Sequence, residues 1–92
     1  MGAVVVQVPA ALRELTGGRS TVLVEASTLG EVLSRLRESE PLLSGRLFAD
    51  DGSVRGFVNL FLDGVDVRGL RPEATRIPAD SRLSIVPSVA GG

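Results

Sequence analysis

The sequence predicts an α+β fold, a mixed sheet of about five strands with one main helix packed on one face. Three observations carry this prediction. Strand-like runs rich in Val, Leu and Ile lie towards both ends of the chain. Between them, one stretch repeats its apolar residues with helical spacing. Near the C-terminal third, Asp63-Gly64 sits between two apolar runs, the strongest short hairpin signal in the chain. With 92 residues, of which 43% are hydrophobic, one small domain can bury about 60–70% of its unfolded surface. That suffices for a single core without metal or disulfide staples.

Residues 3–8 read as the first strand. Val4, Val6 and Val8 alternate with Ala3, Val5 and Gln7, and Pro9 ends the run. Residues 10–15 are expected to make one short helical turn with Leu12 and Leu15 facing inward. Thr16-Gly17-Gly18-Arg19 is a turn signal, and residues 20–25 form the second strand. The glycine pair there lacks the G-x-x-x-x-G-K-[ST] pattern of a phosphate cradle.

The main helix begins at Thr28. In Thr28-Leu29-Gly30-Glu31 the Thr28 hydroxyl accepts from the Glu31 backbone N–H, while the Glu31 carboxylate reaches back to the start of the helix. Leu29, Val32, Leu33 and Leu36 then fall at i, i+3, i+4 and i+7, which makes one apolar stripe. Pro41 stops the helix, because its ring pushes the preceding residue out of the α region. Leu42, Leu43, Leu47 and Phe48 suggest a second, shorter helical turn that caps the core. Asp50-Asp51-Gly52-Ser53 resembles a fragment of a calcium loop but lacks the closing Glu, and it reads as a solvated turn.

Residues 57–62 form a strand that turns at Asp63-Gly64 onto a partner at residues 65–68. A loop over residues 69–80 contains Pro72 and Pro78, and residues 82–86 form the last strand. The order is therefore β-β-α-β-β-β. The economical arrangement pairs the first two strands as a hairpin, crosses the sheet with the helix, and returns the last strand beside the first and parallel to it. That arrangement is a β-grasp, expected over residues 1–86, followed by a flexible C-terminal tail at residues 87–92.

The tail, Pro87-Ser88-Val89-Ala90-Gly91-Gly92, is the segment around which function is read. Two glycines lose more backbone freedom on ordering than any other pair, and they are narrow enough to thread a tight tunnel. Fully extended, the tail reaches about 20 Å, which suits delivery of a terminal carboxylate into another protein's pocket. A frayed or extraneous end is the other explanation of such a terminus.

Composition narrows the chemistry. There is no Cys and no His, so neither a thiolate nor an imidazole can act as nucleophile, base or metal ligand. All ten basic residues are Arg, so an activated C-terminus finds no lysine of its own to acylate. A free-standing enzyme is poorly supplied by this inventory. A net charge of −1 and three aromatics, all Phe, argue against a nucleic-acid surface. No segment approaches the roughly 20 apolar residues of a membrane span, and the N-terminus lacks a signal-peptide pattern. The expected location is the cytoplasm.

Four stretches resemble a known family: Leu12-Arg13-Glu14-Leu15-Thr16-Gly17-Gly18-Arg19, Thr28-Leu29-Gly30-Glu31-Val32, Phe57 through Arg68, and Pro87 through Gly92. Together they look like the ubiquitin-like sulfur carrier proteins of the MoaD/ThiS type. The Val-Ala-Gly-Gly ending and the Val-Asn-Leu-Phe-Leu-Asp strand are most similar to the CysO branch, which serves cysteine biosynthesis. Pro78-Ala79-Asp80-Ser81 departs from the Gly-Asp turn usual before the last strand.

The resemblance implies a ubiquitin-like β-grasp and a protein co-substrate. An E1-like adenylyltransferase, using its own bound MgATP, would adenylate the Gly92 carboxylate, and a sulfur donor would displace AMP to leave a thiocarboxylate. Val89, Ala90 and Gly91 would thread the partner's active site, with no cofactor held by the chain itself. A sulfur-acceptor biosynthetic enzyme is the second implied partner. Counting in twos along the strands, Val58, Leu60, Leu62, Leu83 and Ile85 face the helix, while Phe57, Asn59, Phe61, Ser84 and Val86 face outward. Phe61 and Val86, with Pro87, are thus the candidate partner-binding patch; the alternative is that the segment 87–89 partly covers them. Arg68, Arg71 and Arg76 either pair with an acidic partner surface or are simply solvated. A small molybdopterin synthase subunit, a ubiquitin-like protein modifier and a plain β-grasp binding module remain the alternatives.

Overall fold

A computed structural model describes residues 2–87. Strands β1 (Gly2–Gln7) and β2 (Thr21–Ala26) flank a 3-10 helix at Ala10–Thr16; helices α1 (Leu29–Ser39) and α2 (Pro41–Leu47) follow. Strands β3 (Val58–Leu62) and β4 (Val65–Asp66), a 3-10 turn at Val67–Gly69 and strand β5 (Ser81–Pro87) complete the chain as described. The sheet order is β2-β1-β5-β3-β4. β1 and β2 are antiparallel, β1 and β5 parallel, and β3 antiparallel to both β4 and β5. This is the expected mixed sheet of a ubiquitin-like β-grasp, with β5 in its centre.

Strand alternation decides which face is buried. Val4, Val6, Val22, Val24, Val58, Leu60, Leu62, Leu83 and Ile85 are all buried and meet the α1 stripe Leu29, Val32, Leu33 and Leu36 in one core. Gly2 is required by close approach: a Cβ there would run into the Ile77 carbonyl. At the Asp63-Gly64 corner both residues have positive φ, 48° and 88°. That is the two-residue hairpin turn whose twist matches the strands, with Leu62 opposite Val65.

The start of α1 leaves no backbone donor orphaned. Glu31 N–H donates to Thr28 Oγ1 (3.3 Å), and Glu31 Oε1 accepts from the N–H groups of Ser27 (2.6 Å) and Thr28 (3.2 Å). Leu29 N–H donates to the Thr75 carbonyl and Gly30 N–H to the Pro72 carbonyl, so the remaining first-turn donors are met by the segment before β5. That segment, read from the sequence as a plain loop, is thereby tied to the helix end, and Ile77 N–H donates to the Ser27 carbonyl as well.

Other expectations are corrected. Leu42 does not cap the core but is 67% exposed. Pro41 opens a second helix at its N-terminal position, so the helical period turns Leu43 and Leu47 inward and Leu42 out. Phe48 is buried beyond the helix end, with the Arg37 guanidinium 4.8 Å above its ring. The strand expected at residues 65–68 stops after two residues. Asp66 accepts from the Arg68 N–H at 2.9 Å and turns the chain into 3-10 geometry that buries Val67. Among the described residues, no helix is long and apolar enough to cross a membrane.

Candidate functional site

β5 is hydrogen-bonded on both sides, and its last residues outrun β1: the parallel register ends at Gln7 opposite Ser84, while the antiparallel register runs on to Val58 opposite Pro87. Pro87, expected as the first tail residue, is therefore the last residue of the strand. Proline is tolerated there because a strand end needs no further donor. The described chain thus ends on a central strand, with Pro87 still paired to β3. The expected tail residues Val89, Ala90, Gly91 and Gly92 lie outside the described residues.

The face opposite the helices carries the expected outward residues. Val86 is 44% exposed and sits across from Asn59, while Phe61, across from Ser84, is only partly buried. The two lie on neighbouring strands, one diagonal step apart, which is within reach of an aromatic ring. Phe57 precedes the strand and is 55% exposed. Described residues thus bring Phe61 and Val86 together on the open face, whereas Pro87, paired with the buried Val58, falls on the helix side of the sheet.

Beside them runs a groove of about 470 Å³ lined by Gln7, Val8, Pro9, Arg13, Ser20, Thr21, Ser84, Ile85 and Val86. Its floor is ordered: Ser84 Oγ donates to Gln7 Oε1 at 3.0 Å, and Arg13 Nε donates to the Val8 carbonyl at 3.0 Å. Strand alternation already put Gln7 and Ser84 on the outer face. Arg13, however, reaches the groove from a 3-10 helix, and no sequence period links it to the end of β5. A second groove, about 530 Å³, follows the solvent flank of α1 past Glu31, Arg35, Glu38 and Glu73, away from the end of β5.

Arg68 is not a free surface cation. Its Nη2 donates to the carbonyls of Val58 (2.6 Å) and Arg55 (2.8 Å), and its Nη1 to Asn59 Oδ1 (3.0 Å). It fastens the start of β3 directly beneath the position opposite Val86 and Pro87. Arg71 and Arg76 are exposed, as expected. The two carboxylates with perturbed acidity stand elsewhere. Glu31 is held below the usual range by the N–H groups of Ser27 and Thr28, and Asp51 by the Ser53 hydroxyl and N–H. Both are structural caps rather than reacting groups. Among the described residues the end of β5 therefore has an exposed Val86 beside the partly buried Phe61, and neither carboxylate of perturbed acidity stands there.

Comparison with known proteins bears on this geometry. The model of the ThiS family matches residues 6–92. The chain is 37% identical over 91 residues to the sulfur carrier protein CysO of Mycobacterium tuberculosis, covering 97% of this chain and 98% of that one. It is 35% identical over 85 residues to small archaeal modifier protein 3 of Haloferax volcanii, covering 90% and 91%. Among solved structures, a chain of the Amycolatopsis orientalis BexX/CysO complex superposes with a TM-score of 0.80 at 28% identity, covering 97% of this chain and 99% of the other.

Proposed function

This chain belongs to the ThiS family, and on that premise we propose that it is a sulfur carrier whose reacting group is the Gly92 carboxylate. A carboxylate does not react with sulfur nucleophiles until it has a leaving group. An E1-like adenylyltransferase holding MgATP would supply one: the Gly92 carboxylate attacks the α-phosphorus, pyrophosphate leaves, and an acyl-adenylate remains. A sulfur donor then attacks the acyl carbon and expels AMP, which yields a thiocarboxylate. As a soft anion near neutral pH, that group passes sulfur to a biosynthetic acceptor enzyme, in cysteine formation or another sulfur-containing product.

The observation that carries this reading is the position of β5. A central strand, paired on both sides, ends at the rim of an open face and continues towards Gly91-Gly92. The chain's own part is to bind and to orient. Phe61, Val86 and Pro87 would dock on the partner, and Val89, Ala90 and Gly91 would thread its active site with no bulky side chain at the reacting end. Covalent chemistry then belongs to the partner, and this protein is consumed and regenerated as a co-substrate. The complex from which the Amycolatopsis chain comes supports the expectation of a protein partner.

The similarity to a Haloferax modifier protein favours a second reading, attachment through Gly92 to lysines of other proteins. Intact mass spectrometry after incubation with the cognate adenylyltransferase, MgATP and sulfide separates the two. Exchange of one terminal oxygen for sulfur supports the carrier; lysine-linked adducts support the modifier. An unchanged mass, or full charging of a chain lacking Gly92, sinks both.

A further inference from the structure

We propose that two copies of this chain associate through the open edge of β2, in an antiparallel, two-fold pairing that joins their sheets. The backbone places this edge. Val8 N–H donates to the Ser20 carbonyl, and the register pairs Val6 with Val22 and Val4 with Val24. In an antiparallel ladder, residues alternate between those bonded to the neighbour and those pointing away. Thr21, Leu23 and Glu25 therefore aim their N–H and C=O groups out of the sheet. Among the described residues no hydrogen bond reaches them.

The two sheet edges are treated differently. β4 is two residues long and is turned away by Asp66, a blunt edge with little to offer another strand. β2 has six residues in unbroken register with β1, contains no Pro and carries a single charge, Glu25. Charged lysines, prolines and bulges are the usual guards of such an edge. Instead, at its middle stands Leu23, 67% exposed, the equal of Leu42 as the most exposed large hydrophobic residue among those described.

Charge decides the occupant. Beside the edge runs a groove of about 310 Å³ between β2 and α1, to which α1 contributes Arg35, Glu38 and Ser39. Arg35 and Glu38 are three residues apart on one flank of the helix, and neither forms an ion pair among the described residues. A two-fold interface sets residue i against j and j against i. Centred on Leu23, it places Leu23 against its own copy and Thr21 against Glu25 of the second copy. It also runs the two α1 helices antiparallel, Arg35 of each towards Glu38 of the other. Such a face is complementary to itself. One strand, β1, separates β2 from β5, two strand spacings or about 10 Å, so the pairing leaves the end of β5 open and does not depend on the sulfur-carrier reading.

Sedimentation velocity of the full chain from micromolar to millimolar concentration tests this, with amide exchange read on the same samples. The expected result is a concentration-dependent dimer in which the Thr21, Leu23 and Glu25 amides gain protection. Leu23→Pro removes the outward-facing donor and the leucine side chain at the centre of the pairing, touches no bond to β1, and should abolish the dimer. Should that variant fail to fold, the charge pair decides. Glu38→Arg sets Arg against Arg twice and should weaken association by about tenfold or more. Adding Arg35→Glu restores complementarity and should restore the dimer. A monomer at every concentration, or a dimer indifferent to Leu23→Pro and to the charge changes, overturns the proposal. So does failure of the double variant to recover.

Discussion

Arg68 donates from Nη2 to the carbonyl oxygen of Val58 at 2.6 Å, joining the 3-10 turn after β4 to the first residue of β3. The same guanidinium also holds the Arg55 carbonyl and the Asn59 side chain. Hydrogen bonds from a charged donor contribute about 1.5–3 kcal/mol each where they are sheltered, and less at an exposed site. Arg68→Ala should therefore lower unfolding free energy by about 1–3 kcal/mol in urea denaturation. Arg68→Lys should recover only part of it, since one ammonium cannot span the three acceptors.

Phe61 tests the docking end of the open face. Its ring is on the side away from the core and only partly buried, so Phe61→Asp should leave the cooperative unfolding transition in place. Adenylation and sulfur charging should fall by about tenfold or more, in line with the loss of an aromatic contact at an interface. Unaltered charging kinetics would remove Phe61, and with it the patch, from partner recognition.

Acid should weaken the start of α1. Hydrogen bonds from the backbone N–H groups of Ser27 and Thr28 hold the Glu31 pKa below its ordinary value. A carboxyl depressed in the folded state stabilises the fold above its unfolded value, and that stabilisation is lost as pH falls through the lowered folded value. Thermal melts should thus decline on the acid side, and Glu31→Gln should flatten that decline. An identical acid limb in the variant would assign the loss to other carboxylates, Asp51 among them.

Gly45 lies inside α2, with nothing within 4 Å of the position a Cβ would take. Gly45→Ala should stabilise the protein by about 0.5–1 kcal/mol, because glycine loses the most backbone entropy in a helix. A rise of the melting temperature by a few degrees is the measurement.

Much of this architecture was readable because it depends on neighbours in the chain. The Thr28–Glu31 capping box, the α1 stripe, the Asp63-Gly64 corner and the inward set of β3 and β5 follow from periods and dihedral preferences confined to a few residues. Leu42 was misread because a run of apolar residues does not disclose where a short helix begins, and one residue's shift turns a side chain by about 100°. The Asp66 side chain cut β4 short for a comparable local reason: a carboxylate that can accept from a backbone two residues on competes with the ladder.

By itself the sequence determined most of the elements, the buried face of β3 and β5, and a composition without thiol, imidazole or amine side chains. Only the tertiary structure decided that Arg68 is committed to β3, that Arg13 borders the end of β5, that Phe61 is half covered, and that β2 is left as an open edge. The reason is physical. Dihedral preferences and hydrophobic periods act within a few residues, whereas hydrogen-bond partners, burial and strand order arise between segments up to 77 residues apart, as in the Ser84–Gln7 contact, and exist only once the chain has closed on itself.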